Sequence, residues 1–220
     1  QSLELPTAVG QLALLLVTSG RPLEACSCGP QHPQTAFCYS DVVIRGRIVG
    51  EVKLNRNNST AEEPSWTRYQ IKVNKIYKGF DLITDLEFLY TPMHDSLCGY
   101  NHPSNNKSEE FLFSGHIVDG KVMISVCGFN SPWSKLTPNQ RRGLAHIYKN
   151  GCNCVIVPCS APPCSVSSPK ECLWTDALMS RSWVGHQAQY LACVHKGNDE
   201  CKWESMKSSA ATTIFKTSRI

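Results

Sequence analysis

The sequence predicts a mainly β fold: a small closed barrel of five strands with flanking helix, then a second, smaller disulfide-rich domain. Three observations carry this. Between 41 and 127, short runs of β-branched and aromatic residues alternate with polar ones, separated at the spacing of barrel strands. All twelve cysteines lie beyond residue 25, an even count that reads as a disulfide framework made in an oxidising compartment. From Cys152 the composition changes, with seven cysteines and four prolines inside 152–201, a stretch that buries little core and needs covalent staples.

Taken in order, residues 8–17 form an apolar run too short to cross a bilayer, followed by the helix-breaking 18–22 and by Ala25, a small residue suited to cleavage. Residues 1–25 are therefore expected to be a secretory signal peptide, incomplete at its start. The first strand is expected over 42–49, ending at Gly50. Tyr69, Ile71 and Val73 alternate with polar neighbours in the second, and Leu86, Phe88 and Tyr90 repeat that period in the third. Phe111 and Phe113 begin a fourth. Asp119-Gly120 is a hairpin turn into a fifth strand carrying Val122, Ile124 and Val126.

A helix is predicted over 137–151. Thr137 caps it, Pro138 suits its first position, Gln140 completes a capping box, and Gly151 is expected to end it in a left-handed conformation. Leu144, Ile147 and Tyr148 share one face, which packs on the barrel. The boundaries that follow are 26–152 for the barrel domain, 153–204 for the small domain and 205–220 for a frayed tail rich in Ser, Thr and Lys.

Composition excludes several function classes. The formal net charge is only +4, and the basic residues are scattered without interleaved aromatics, which argues against nucleic-acid binding. No run beyond the leader approaches about 18 apolar residues, so no membrane insertion is expected. His-Glu-x-x-His, Gly-x-Ser-x-Gly and phosphate-cradling glycine loops are absent from the sequence, so an enzyme is not expected. Cys152-Asn153-Cys154 with Cys159 and Cys164 has spacing less suited to zinc than to disulfides. Sequons at Asn57, Asn58 and Asn106 are expected glycosylation sites on exposed loops, in keeping with export to the extracellular space.

Cys26 carries the sharpest chemistry. Cleavage after Ala25 makes it the mature N-terminus, where a free α-amino group sits beside the residue's own carbonyl oxygen. Together they can chelate one metal ion. Taken alone, Cys26-Ser27-Cys28 is a stapling motif. Its position at a mature terminus changes that reading.

The stretch Cys26-Ser27-Cys28-Gly29-Pro30-Gln31-His32-Pro33-Gln34-Thr35-Ala36-Phe37-Cys38 resembles the opening of the tissue inhibitors of metalloproteinases. So do Asp41-Val42-Val43-Ile44-Arg45, Tyr77-Lys78-Gly79-Phe80, Ser96-Leu97-Cys98-Gly99 and Gln140-Arg141-Arg142-Gly143. Gly151-Cys152-Asn153-Cys154 and Glu171-Cys172-Leu173-Trp174-Thr175-Asp176 extend the likeness, which spans roughly 26–204 and takes in every cysteine. Within the family, 98–112 is most similar to a glycosylated member.

The resemblance implies an oligonucleotide/oligosaccharide-binding fold (OB-fold) barrel of the netrin-like kind. It implies the pairs Cys26–Cys98, Cys28–Cys127, Cys38–Cys152, Cys154–Cys201, Cys159–Cys164 and Cys172–Cys193. It further implies a secreted inhibitor of matrix metalloproteinases, in one-to-one complexes, with no cofactor of its own. Cys26 chelates the zinc of the target protease, displacing the water at its open position, and Ser27 points into the specificity pocket. The wedge comprises Cys26, Ser27, Cys28, Gly29 and Pro30 with Ser96, Leu97 and Cys98. The small domain is expected to dock the haemopexin-like domain of a latent gelatinase. Two other readings stay open: a growth-factor-like ligand acting through a cell-surface receptor, and a plain netrin-like binding module. The sequence departs from the family at Gly29, which removes contact area from the wedge. Ser27 is smaller than the threonine common there, and the loop 51–67 is longer. His32 is expected to hydrogen-bond locally rather than bind metal, and Phe37 and Tyr77 to fill core.

Overall fold

The structure, a computed structural model, describes residues 26–54 and 65–207. The expected leader 1–25, the sequons at Asn57 and Asn58, and 208–220 lie outside the described residues. The elements run α1 (Pro33–Tyr39), β1 (Val42–Leu54), β2 (Trp66–Lys78), β3 (Phe88–Pro92), β4 (Phe111–Val118), β5 (Lys121–Met123) and β6 (Ser131–Pro132). Next come α2 (Pro138–Arg142), β7 (Val155–Pro158), β8 (Glu171–Trp174), α3 (Asp176–Ser180), α4 (His186–Tyr190), β9 (Leu191–His195) and β10 (Cys201–Ser205). The architecture is mainly β, with few and short helices.

The large sheet closes on itself. Its order is β1-β2-β3-β5-β4-β6, and β1 also pairs with β4, Val42 facing Gly115 and Gly46 facing Phe111. Five strands thus form a ring, with β3 and β5 parallel and the other pairs antiparallel. Closure removes most exposed edges. Inside the ring Val42, Ile44, Tyr69, Ile71, Leu89, Phe111, Phe113, Val122 and Ile124 form one apolar cluster. The Asp119-Gly120 turn is present, with φ of 49° and 71°, the positive pair that a two-residue hairpin of this twist requires.

Four expectations about the strands and the tail change. Strand β1 runs past Gly50 to Leu54 and pairs there with Trp66, so the long loop is shorter than 51–67 at both ends. In β3 it is Leu89 and Thr91 that face the core, while Phe88 and Tyr90 face outward. Arg68 and Lys121 lie over those two rings, so outward aromatics are capped by cations and mimic a buried alternation. Strand β5 stops at Met123, and Val126 is 54% exposed. Ser205 pairs with Leu191 and Met206 is fully buried, so both belong to the fold rather than to a frayed tail.

The predicted helix over 137–151 is three helical pieces in succession. The capping box of Thr137 and Gln140 is formed, and α2 passes into a π turn over Gly143–Ile147 and a 3₁₀ turn over Tyr148–Gly151. Gly151 is not left-handed. A Cβ there would lie 2.0 Å from the Cys193 carbonyl oxygen and 2.3 Å from Gln34 Nε2, so glycine serves close approach of another strand.

That approach reflects a second core. Phe37, Val43, Leu112, Leu144, Tyr148, Ala192, Val194 and Met206 pack in one cluster drawn from both halves of the chain. It explains why Phe111–Gly115 of β4 is buried on both faces. Beyond it, β7 pairs with β8 and β9 with β10 as two small ribbons stapled by cysteines.

Candidate functional site

Six disulfides join Cys26–Cys98, Cys28–Cys127, Cys38–Cys152, Cys154–Cys201, Cys159–Cys164 and Cys172–Cys193, the pairs the resemblance implies. The first two build a ridge. Residues 26–31 have no regular secondary structure, and Ser27, Cys28, Gly29 and Pro30 are all exposed. With so little of its own to bury, this segment is held by its crosslinks. The bridges lie side by side, with Cys26 Sγ 3.7 Å from Cys127 Sγ and Cys127 Sγ 3.8 Å from Cys98 Sγ.

The second strip of the ridge is a single 3₁₀ turn, Asp95–Leu97, ended by Cys98 at φ 61°. A left-handed cysteine costs on the order of 1–2 kcal/mol. The surroundings hold it there. The Cys98 amide donates to the Asp95 carbonyl at 3.0 Å, and its own carbonyl accepts from the Val126 amide at 3.0 Å. Gly99 is buried, and a Cβ on it would meet the Pro92 carbonyl oxygen at 2.2 Å. The Tyr100 amide then donates to Thr91 Oγ1 at 2.7 Å. The turn is therefore anchored on β3 while Ser96 and Leu97 stay exposed, Leu97 by 50%.

The bridges thus bring every residue of the expected wedge into one covalently linked strip: Cys26–Cys98 ties Cys26, Ser27, Cys28, Gly29 and Pro30 to Ser96, Leu97 and Cys98. Val126 was missed by the sequence reading. It is exposed beside Cys127 as Leu97 is beside Cys98, and that shared spacing is the signal that could have found it.

Sulfur atoms of Cys26, Cys98 and Cys127 cluster, as do those of Cys154, Cys193 and Cys201. All six are disulfide-bonded. Zinc takes cysteine as thiolate, so neither cluster fits a metal.

His32 is 1% exposed at the base of the ridge. Its Nδ1 accepts from the Gln34 amide as the cap of α1, and its Nε2 donates to the Gln187 carbonyl at 3.2 Å. Burial lowers its pKa to about 4, so the ring is a neutral structural bridge. The aromatic rings of Trp174 and Trp203 flank it. Phe37 is buried and Tyr77 packs at the edge of the second core.

The seam beneath the ridge is made of buried polar side chains that sequence reasoning did not single out. Gln34 donates to the carbonyls of Gly151 and Cys193 at 3.0 and 2.7 Å and accepts from the Cys193 amide at 2.8 Å. Asp176 accepts from Trp174 Nε1 and from the amides of Gln187 and Ala188. Asn106 is exposed, with its Oδ1 accepting from the Ser108 amide at 3.0 Å.

Residues 24–203 match the family described as tissue inhibitor of metalloproteinase. The chain is similar to metalloproteinase inhibitor 3 of Scyliorhinus torazame, 42% identical over 197 residues that cover 87% of this chain and 88% of that protein. It is likewise similar to metalloproteinase inhibitor 4 of Mus musculus, 42% identical over 194 residues covering 88% and 86%. Metalloproteinase inhibitor 2 of Homo sapiens is 40% identical over 191 residues, covering 86% of each. The sequence alone suggests metalloproteinase inhibitor 1 as the glycosylated member nearest to 98–112, whereas the relatives given above are inhibitors 2, 3 and 4.

Proposed function

This chain belongs to the tissue inhibitor of metalloproteinase family, and from that premise we propose that it is a secreted, non-enzymatic inhibitor of matrix metalloproteinases whose disulfide-clamped ridge fills the target's active-site cleft. The observation that carries the reading is the ridge itself. Cys26 and Cys28 are each bridged to the barrel, and both flank the exposed Ser27.

Once 1–25 is removed, the α-amino nitrogen and carbonyl oxygen of Cys26 chelate the catalytic zinc at the position its water occupies. Ser27 enters the specificity pocket, while Leu97 and Val126 flank the wedge. The crosslinks leave little chain entropy to lose on docking, which raises affinity without added contacts. The amine donates its lone pair only when neutral, and an unperturbed α-amino group titrates at about 7.7–8.0. Inhibition accordingly weakens as pH falls below that range. The five-stranded ring is, in this reading, a netrin-like OB-fold barrel, Asn106 carries a glycan, and the complex is one-to-one. Leu178 and Met179 on α3 and Val184 beyond it are each exposed, and they are the apolar surface the small domain offers a haemopexin-like partner.

N-terminal sequencing and intact mass of the exported protein test the premise of this mechanism. The expected first residue is Cys26 with an unmodified amine. An active inhibitor that begins upstream of Cys26 contradicts it.

A further inference from the structure

The two bridges of the ridge stand close enough to exchange partners. The Sγ atoms of Cys26, Cys98 and Cys127 lie within 4.8 Å of one another. Cys127 Sγ is 3.7 Å from Cys26 Sγ and 3.8 Å from Cys98 Sγ. At that range a thiolate formed on Cys127 meets the neighbouring bridge without any change of fold.

Proximity alone is not enough, because exchange begins when an outside thiolate reaches a sulfur atom. Among the described residues a second group of bridges is equally close, the Sγ atoms of Cys154, Cys193 and Cys201 also lying within 4.8 Å. There Cys172, Cys193 and Cys201 are 4%, 0% and 5% exposed, which shuts an outside thiol away from three of the four partners. On the ridge Cys28 is exposed and Cys26, Cys98 and Cys127 are half-buried. Cys152 is exposed too, but neither Cys38–Cys152 nor Cys159–Cys164 belongs to either group of sulfur atoms. A thiol that opens one of those opens a single bridge. Access and a waiting neighbour coincide on the ridge.

The four cysteines of the ridge are held very differently. Cys98 ends its 3₁₀ turn, and its carbonyl accepts from the Val126 amide. Cys127 follows Val126, inside a turn closed by the Gly128 amide donating to the Ser125 carbonyl at 3.0 Å. Cys98 and Cys127 therefore sit on two barrel segments already hydrogen-bonded to each other. Cys26 and Cys28 share a segment with no regular secondary structure. Cys127 Sγ is nearly equidistant from both sulfur atoms of the neighbouring bridge, so it lies beside that bridge rather than on its axis. Displacement along the axis requires the bridge to turn, and Cys26 is the end able to swing outward.

We propose that a low-molecular-mass thiol unlatches the ridge by exchange between its two bridges, with no net oxidation or reduction. The thiolate attacks Cys28 Sγ, the Cys28–Cys127 bond breaks, and its electron pair leaves on Cys127, so that Cys28 carries the thiol as a mixed disulfide. The Cys127 thiolate attacks Cys98 Sγ, forms Cys98–Cys127 and expels Cys26 as a thiolate. Cys26 then attacks Cys28 Sγ, forms Cys26–Cys28 and returns the thiol. Six disulfides are present before and after. The barrel keeps a bridge of its own and so does the leading segment, but the main chain alone now joins them. The exchange does not depend on inhibition. Its consequence, loss of inhibition, rests on the ridge being the inhibitory surface.

The test is disulfide mapping by mass spectrometry on the full mature protein held in reduced glutathione, then quenched in acid and alkylated. Peptides joined through Cys98–Cys127 accumulate about tenfold faster than any new pairing among Cys154, Cys172, Cys193 and Cys201. The end product has an unchanged intact mass, and inhibition of a matrix metalloproteinase falls in step with its formation. The variant Cys28→Ser, Cys127→Ser lacks the relaying thiolate, and in it the same treatment opens Cys26–Cys98 about tenfold more slowly. Opening of the ridge bridges without a Cys98–Cys127 product overturns the proposal. So does equally fast re-pairing in the buried group, or the crossed product Cys26–Cys127 with Cys28–Cys98. Re-pairing with undiminished inhibition supports the exchange and contradicts the ridge as the inhibitory surface.

Discussion

The ridge and the seam beneath it hold their shapes by opposite means. Ser27, Cys28, Gly29 and Pro30 are exposed, and two disulfides tie their segment to the barrel. In the seam, Gln34 and Gln140 are buried and hydrogen-bond main-chain groups of elements far away in sequence, while buried Asp176 ties the start of α3 to α4 beside them. A surface that must meet a partner has little to bury, so covalent bonds substitute for a core. Where two halves meet in a dry interior, side-chain amides and a carboxylate stand in for missing ladder partners.

The contrast makes separable predictions. Replacing Cys28 and Cys127 together by serine has the largest effect. It opens a bridge between residues 99 apart, worth about 4–5 kcal/mol in the chain-entropy account, and frees the ridge. Inhibition of a matrix metalloproteinase falls at least 100-fold even at temperatures where circular dichroism reports a folded barrel. Asp176→Ala acts on the seam instead. It strands three donors, each costing about 1–3 kcal/mol when buried unpaired, so denaturant unfolding shifts by about 3 kcal/mol or more while inhibition by the folded protein is unchanged.

A smaller effect sharpens the same division through pH. Burial holds His32 near 4, below the usual 6.5, so the folded state binds fewer protons than the unfolded state between those values. Its contribution is complete above about 6.5 and is lost as pH falls towards 4, a total of about 3 kcal/mol. His32→Asn, which keeps a capping acceptor, flattens that slope in denaturant titrations from pH 7 to 4.

The two regions also differed in how far the sequence revealed them. Cys26, Cys28, Cys98 and Cys127 announce the ridge because cysteine spacing is a local signal that survives without knowledge of packing. The alternation at Tyr69, Ile71 and Val73 likewise reports the inner face of β2, because Gln70, Lys72 and Asn74 on its other side are exposed. The reading went astray wherever a second surface intervened. Phe88 and Tyr90 look inward by hydrophobicity yet face outward under cations. Gly151 looks like a helix terminator, yet it makes room for Cys193 and Gln34. Met206 sits in a polar run, and only the core shared by both halves buries it. The cap of α1 at His32-Pro33 is a local signal that was there to be used.

The central claim is that an uncapped Cys26 amine, held rigid by its neighbouring bridges, closes the open coordination site of another protein's zinc. Placing one alanine ahead of Cys26 tests this most directly, with inhibition constants and disulfide mapping measured on the same preparation. The account predicts a loss of at least 100-fold in inhibition with all six bridges and the unfolding midpoint retained. Undiminished inhibition by the extended protein would contradict it.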